Sequence, residues 1–185
     1  MAFRIVIGDV TIGIQGQDFA YIFSVGMGGM ESLYKDGKEW LYRAPRPAFW
    51  RAATDNDRGN GFVFRSAVWS AADRFVRCVK VTARMDEQEI SMPPAPENNK
   101  YNGDETCDRF EISYTYETPT VPVTEVTVSY LVESDGRIHV QVDYLGKQGL
   151  PELPVLGLRF LMPTAAEGYT YEGLSGETYP DRMAG

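Results

Sequence analysis

The sequence holds few of the residues that carry most metal and acid–base chemistry. It has one histidine, His139, and two cysteines, Cys78 and Cys107, in 185 residues. Two cysteines are too few for a disulfide framework, and without a C-x-x-C spacing they give no zinc-site pattern. A histidine relay of the Ser-His-Asp or Cys-His type would have to use His139. We expect this residue to lie on the polar face of a strand, as a surface histidine.

Long apolar runs and a basic surface are also missing. The longest uninterrupted apolar run is Phe19–Phe23, which is too short to span a membrane, and the N-terminus has no signal-peptide stretch. The 18 Lys and Arg residues against 26 Asp and Glu residues give a net charge of −8. Nucleic acid and anionic membranes attract basic surfaces, so we expect neither as a partner. From the missing apolar stretches we expect a cytoplasmic location, with an exported protein that has lost its leader as the alternative.

The chain does contain short segments in which apolar and polar residues alternate. This period of two is clearest over 110–116, 126–133 and 138–144, and it is typical of strands with one buried face. Asp36-Gly37 and Asp135-Gly136 are hairpin turn signals. The glycine-rich 26–29 segment lacks the order of a phosphate loop and fits a turn between strands. We therefore predict a single all-β domain over 1–185, folded as an antiparallel β-sandwich.

One segment departs from the alternation. Its apolar residues recur at helical spacing, and Asn60 stands where a helix cap is needed. We predict one short helix near 62–73. The apolar residues concerned are Phe64, Val68, Ala71, Ala72 and Phe75.

The densest polar cluster, 55–61, lies among the three tryptophans of the chain. It fails as an EF-hand, because Ser66 stands where a bidentate glutamate is needed. Two interpretations of the cluster stay open. Asp55 and Asn56 could bond nearby backbone amides and hold a turn. Alternatively, aromatic faces beside the Asp-Asn-Asp run could bind a sugar. The tryptophans, which fit either a sugar site or the core, are Trp40, Trp50 and Trp69.

Two motifs carry a resemblance to a known family. The segment 51–57, Arg-Ala-Ala-Thr-Asp-Asn-Asp, resembles the Arg-Ala-Pro-x-Asp-Asn-Asp signature of the β-galactosidase small chain. That unit is also the C-terminal sandwich domain of long bacterial β-galactosidases. The segment 177–182 resembles the family's Glu-Asn-Tyr-Pro-Asp-Arg motif, and 157–160 corresponds to its Gly-Leu strand. The chain departs from the pattern at Ala53, where the family has proline, and at Thr178, where it has asparagine.

The resemblance implies a galactose-mutarotase-like supersandwich that serves as an accessory domain of a β-galactosidase. The implied partners are a catalytic barrel domain or subunit, which holds the catalytic glutamates, and a galactoside substrate. The family domain is longer, so 1–185 would be a fragment truncated at its C-terminal side. No cofactor is implied in this segment; a divalent cation elsewhere in the whole enzyme is compatible with the resemblance. Because an incomplete sandwich leaves an open edge, we expect a homo-oligomer.

No catalytic residue is implied within the chain. The residues implied to bind substrate, at the rim of the sugar site, are Trp50, Asp55, Asn56, Asp57, Glu177 and Tyr179. The residues implied to be structural are Arg51, Asp181 and Arg182. We expect Arg51 and the three residues 55–57 to form a buried polar network, in which loss of the Asp55 carboxylate destabilises the domain by ~1–3 kcal/mol.

Two other functions stay open at this point. A free-standing carbohydrate-binding module is suggested by the grouping of the tryptophans. A mutarotase-like sugar epimerase is suggested by the implied fold, and it requires an acid and a base in one pocket. His139 with a carboxylate is the one conventional pair that the sequence offers for that chemistry.

Overall fold

The computed structural model describes residues 2–92, 105–168 and 170. This part of the chain contains thirteen strands and a short helical region between the sixth and seventh strands. The strands are β1 (Phe3–Ile7), β2 (Thr11–Gln15), β3 (Phe19–Ser24), β4 (Gly29–Lys35), β5 (Lys38–Glu39), β6 (Arg43–Ala48), β7 (Arg77–Met85), β8 (Gln88–Ile90), β9 (Thr106–Cys107), β10 (Arg109–Glu117), β11 (Glu125–Glu133), β12 (Ile138–Asp143) and β13 (Gly157–Leu161). The helical pieces are α1 (Asp55–Gly59), α2 (Phe62–Arg65) and two 3-10 turns, Ala67–Trp69 and Ala72–Arg74.

The strands form three antiparallel sheets. A six-stranded sheet has the order β5-β4-β3-β2-β1-β9, and a five-stranded sheet has the order β12-β11-β10-β7-β8. Strands β6 and β13 form a separate two-stranded sheet. The predicted all-β antiparallel sandwich is confirmed. The narrower supersandwich assignment and the extent of the domain over 1–185 stay predictions.

The two large sheets face each other across an aromatic core. Phe23 of β3 lies 5.8 Å from the ring of Phe110 on β10 and 5.7 Å from that of Tyr130 on β11. The Tyr21 hydroxyl donates a hydrogen bond of 2.6 Å to a carbonyl in the β11–β12 turn. On β10 and β11 the apolar positions of the alternation are buried, whereas the polar positions between them are partly or fully exposed. The period-two pattern therefore sets which face of each strand packs into the core.

The predicted turns occur where the sequence places them. Asp36-Gly37 joins β4 to β5, and Asp135-Gly136 lies in the turn between β11 and β12. The glycine-rich segment makes the turn from β3 to β4, with Gly28 at φ 68°. A Cβ at Gly28 would lie 2.7 Å from the Cβ of Cys78, so glycine is needed there for both conformation and space.

The prediction of one helix over 62–73 is wrong in its extent and continuity. Helical structure begins at Asp55 and comes in four short pieces. Gly61, at φ 73°, separates α1 from α2, and Ala71, at φ 63°, separates the two 3-10 turns. Asn60 is not the N-terminal cap of α2, because Gly61 holds that position without a side-chain bond; Asn60 ends α1, and its Oδ1 accepts a hydrogen bond of 2.8 Å from the Phe62 amide. No helix in the described part of the chain is long and apolar enough to cross a membrane.

Candidate functional site

The motif at 51–57 follows directly after strand β6 and the buried Phe49. Strand β6 ends at Ala48, after which Phe49 is fully buried and Trp50 packs, half-buried, against the core cluster. The chain then leaves the core and enters α1 through Thr54. Phe49 and Trp50 thus anchor the motif between strand β6 and the helical region.

The centre of the motif is a two-pronged ion pair between Arg51 and Asp57. The Nη1 atom of Arg51 donates to Oδ2 of Asp57 at 2.5 Å, and Nη2 donates to Oδ1 at 3.1 Å. Both carboxylate oxygens are therefore bonded, in the fork geometry that strengthens arginine–carboxylate pairs. The Arg51 guanidinium carbon also lies 5.6 Å from the centre of the Phe62 ring, which fixes its orientation over the start of α2.

Asp57 also takes part in a capping box at the start of α1. Its Oδ2 accepts a hydrogen bond of 2.8 Å from the Thr54 amide, and its own amide donates at 3.2 Å to the Thr54 hydroxyl. The side-chain bonds from Arg51 and the amide bond from Thr54 hold the pKa of Asp57 well below its usual range. Asp57 is therefore ionised near neutral pH, and its role in the fold is to join Arg51 to α1.

The expectation of a buried network that includes Asp55 and Asn56 is wrong, because both side chains point to solvent. The Asp55 side chain is 97% exposed and pairs with Arg58 at 2.8 Å on the outside of α1. Asn56 is exposed as well, whereas Asp57 is buried. In the first turn of a helix, neighbouring residues face different directions, so one of the two acids can point inward while the other points outward.

The three tryptophans have different environments. Trp69 is fully buried, and its Nε1 donates a hydrogen bond of 3.2 Å to the Pro151 carbonyl. Trp50 is half-buried against the core, and Trp40 is 38% exposed with the Lys38 ammonium 4.4 Å from its ring centre. Trp69 thus serves the core, and the tryptophan closest in the chain to the exposed residues of the motif is Trp50.

His139 lies on β12 at the outer surface, as predicted. Its side chain is 58% exposed, and its Nε2 lies 3.2 Å from Oε2 of Glu133. Within the residues that the structure describes, no three His, Cys, Asp or Glu side chains lie close enough to hold a metal ion. Four of the expected site residues, from the second motif, lie outside the described residues: Glu177, Tyr179, Asp181 and Arg182.

Sequence reasoning overlooked Thr54, although a signal for it was present. Thr54 and Asp57 form a Thr-x-x-Asp pair, which is the spacing of a capping box with aspartate in place of the usual glutamate. Ser66 was considered above only as a failed calcium ligand. In the structure its buried hydroxyl donates at 2.9 Å to the Glu152 carbonyl, so it ties the helical region to the 150–154 link.

Comparison with known proteins gives a consistent result. A family model described as "Beta galactosidase small chain" matches residues 15–185. A "Beta-galactosidase small subunit" from Latilactobacillus sakei is 57% identical over 181 residues, which cover 98% of this chain and 57% of that protein. Proteins named "Beta-galactosidase" from Clostridium acetobutylicum and Halalkalibacterium halodurans are 38% and 34% identical, and the matched regions cover 18% and 17% of them. The chain spans little more than half the length of the small-subunit relative.

Proposed function

Because the chain belongs to the β-galactosidase small chain family, we propose that it is the accessory β-sandwich of an enzyme that hydrolyses terminal β-D-galactosides. The observation that carries this proposal is the 57% identity to a small subunit across 98% of the chain. On this proposal, the catalytic carboxylates lie on a separate barrel domain or subunit, which is the partner of this chain.

The geometry of the motif supports an accessory role. A glycosidase needs one carboxyl group that gives a proton and a second that acts as base or nucleophile. Asp57 suits neither task, since both of its oxygens are bonded to Arg51 and its pKa is held low. Asp55 is exposed and paired with Arg58 on the outside of the helix. These bonds hold the loop and α1 in place, and we propose that this loop lies beside the sugar site.

The activity of the two chains, separate and mixed, tests this proposal. We expect no hydrolysis of o-nitrophenyl-β-galactoside by the full-length small chain alone, and full activity when it is mixed with its catalytic chain. Gel filtration of the mixture should show one complex. Hydrolysis by the small chain alone would contradict the proposal, as would a catalytic chain that neither binds it nor responds to it.

We also propose that the motif at 51–57 contributes to the rim of the sugar site. Asn56 is exposed, so its amide is available to a sugar hydroxyl. We expect Asn56→Ala in the assembled enzyme to raise KM by about 2–10-fold, the worth of one hydrogen bond, with kcat little changed. Asp36→Ala, in the exposed β4–β5 turn, is the matched control. Equal KM values for the two variants would count against a rim position for the motif. A place at the rim is also proposed for Trp50, Asp55, Glu177 and Tyr179, whereas Asp57, whose two carboxylate oxygens are bonded to Arg51, would act by holding the motif in position.

A cytoplasmic location, self-association and the supersandwich fold also belong to this proposal. Cell fractionation, light scattering and an experimental structure of the full protein test them in turn. The names of the relatives support neither a free-standing carbohydrate-binding module nor an epimerase. His139, the residue on which an epimerase would depend, lies on the outer surface with Glu133.

A further inference from the structure

A groove rich in arginine lies between the two-stranded sheet and the second 3-10 turn. It has a volume of about 600 Å³. Arg43 and Arg46 come from β6, Arg74 from the 3-10 turn and Arg159 from β13, and among the described lining residues Asp73 is the one carboxylate. Positive charge is therefore concentrated here, in a chain whose net charge is −8.

The strand register brings some of these arginines together. Arg46 and Arg159 are directly opposite each other in the β6–β13 pair, where like charges destabilise a sheet. Asp73 compensates part of this repulsion, because its Oδ2 accepts a bond of 2.6 Å from Arg159. Within the described ranges, no carboxylate pairs with the side chains of Arg43 and Arg74, and both residues are exposed. The groove therefore has free guanidinium groups in place to receive a further anionic group.

The groove also has apolar walls and apolar neighbours. Val76 and Leu161 belong to the lining. Next to the arginines in the chain stand Tyr42, 76% exposed, and Phe75, 71% exposed, and Met162 follows Leu161 with 54% exposed. Tyrosine, phenylalanine, methionine and arginine are residue types that protein interfaces favour, although the groove itself is lined by Val76 and Leu161 and not by these three exposed neighbours. A site for a small inorganic anion has no need of such apolar surface.

We propose that this groove is a docking site for an acidic segment of the catalytic chain. Carboxylates of that segment bond Arg43 and Arg74, and an apolar side chain packs against Val76 and Leu161. Arginine suits this task because its planar fork binds a carboxylate through two hydrogen bonds. The inference rests on the proposed function, which supplies the catalytic chain as the partner.

Charge reversal in the groove tests the inference. The variant Arg43→Glu/Arg74→Glu changes two exposed side chains that make no ion pair with described residues. The control, Lys38→Glu/Lys80→Glu, makes the same change of charge on exposed residues of β5 and β7, neither of which stands opposite a carboxylate in its sheet. Binding of each full-length small chain to the catalytic chain is measured by biolayer interferometry at low and high salt, after circular dichroism has confirmed folding.

We expect the groove variant to bind at least ~10-fold more weakly at low salt and to lose most of its salt dependence, because close interfacial charge pairs carry both effects. The control should bind within about twofold of the wild type, as expected for charges outside an interface. An oligo-glutamate peptide should compete with the catalytic chain for the wild type and not for the groove variant.

Three results would overturn the inference, each in a recognisable way. If the wild type binds the catalytic chain and both variants bind it equally well, the groove is not the docking site and the proposed function stands. If the groove variant loses only self-association, the occupant is a second copy of this chain. If the wild type fails to bind the catalytic chain at all, the proposed function falls and this inference falls with it.

Discussion

Replacing Trp69 by alanine removes the largest of the fully buried side chains in the described part of the chain. The indole ring lies 5.5 Å from the ring of Phe49 and 6.1 Å from that of Tyr144, the latter edge to face. Its Nε1 donates to the Pro151 carbonyl at 3.2 Å. One side chain thus joins the end of β6, the helical region and the link that precedes β13.

The size of the effect follows from these contacts. Truncation of a buried tryptophan or phenylalanine to alanine lowers the free energy of unfolding by about 3–5 kcal/mol. We expect a value near the upper end, because the partly buried Pro151 carbonyl also loses its donor, which adds about 1 kcal/mol. Trp69→Phe keeps most of the packing and loses the hydrogen bond, so it should lower the free energy of unfolding by about 1–3 kcal/mol.

Urea unfolding followed by circular dichroism measures these differences, provided that the slope against urea is unchanged. Trp40→Ala is the control, since Trp40 is 38% exposed and its contact with Lys38 is a surface cation–π pair worth ~1 kcal/mol or less. Should Trp69→Ala fail to fold, Trp69→Phe still gives a measurable value. Equal losses for Trp69→Ala and Trp40→Ala would refute the assignment of Trp69 to the core.

Three further predictions concern the motif, the core and the β3–β4 turn. Asp57→Asn should lower Tm at pH 7, whereas Asp55→Asn should leave Tm nearly unchanged. Because the pKa of Asp57 is depressed in the folded state, the stability that its carboxylate contributes is complete above the unfolded pKa of about 4 and is lost as pH falls through the folded-state pKa. The Tm values of the two variants should therefore converge in acid. Tyr114→Phe removes a buried hydrogen bond of 3.3 Å to the carbonyl of Gly29, the first residue of β4, and should lower the free energy of unfolding by ~0.5–1.5 kcal/mol in urea. Tyr130→Phe should be neutral or stabilising in the same assay, since the Tyr130 hydroxyl has no partner among described residues. Gly28→Ala should destabilise by about 1–3 kcal/mol in the same assay, because it forces a side chain into positive φ and close contact; an unchanged value would contradict the turn geometry.

Local sequence signals predicted the parts of the fold that obey local rules. The alternation over 110–116 and 126–133 is present in β10 and β11, and both Asp-Gly pairs lie in hairpin turns. Our strand prediction does not include β1 and β2, although Phe3, Ile5, Ile12 and Ile14 alternate and are buried. Strand β6 was harder to predict because Pro45 and Pro47 lower its strand propensity, and it is tolerated since it pairs only with β13 among the described strands.

At the site, the sequence indicated the motif but not the role of each residue. The resemblance singled out 51–57, and the geometry then divided it between Asp57, which bonds Arg51 and caps α1, and Asp55, which faces solvent. Two aspartates two positions apart carry no local signal of which one turns inward, because that depends on where the guanidinium of Arg51 lies.

By itself, the sequence determined the class of fold, the hairpin turns and the family, because alternation, turn residues and ordered motifs are properties of neighbouring residues. Only the tertiary structure decided that Trp69 belongs to the core and that Arg46 stands opposite Arg159. It also decided that Arg43 and Arg74 share their groove. These contacts join residues far apart in the chain, and the packing that brings such residues together is set by the whole core. A net charge of −8 does not predict a positive groove, because only folding brings arginines that are far apart in the chain to one place on the surface.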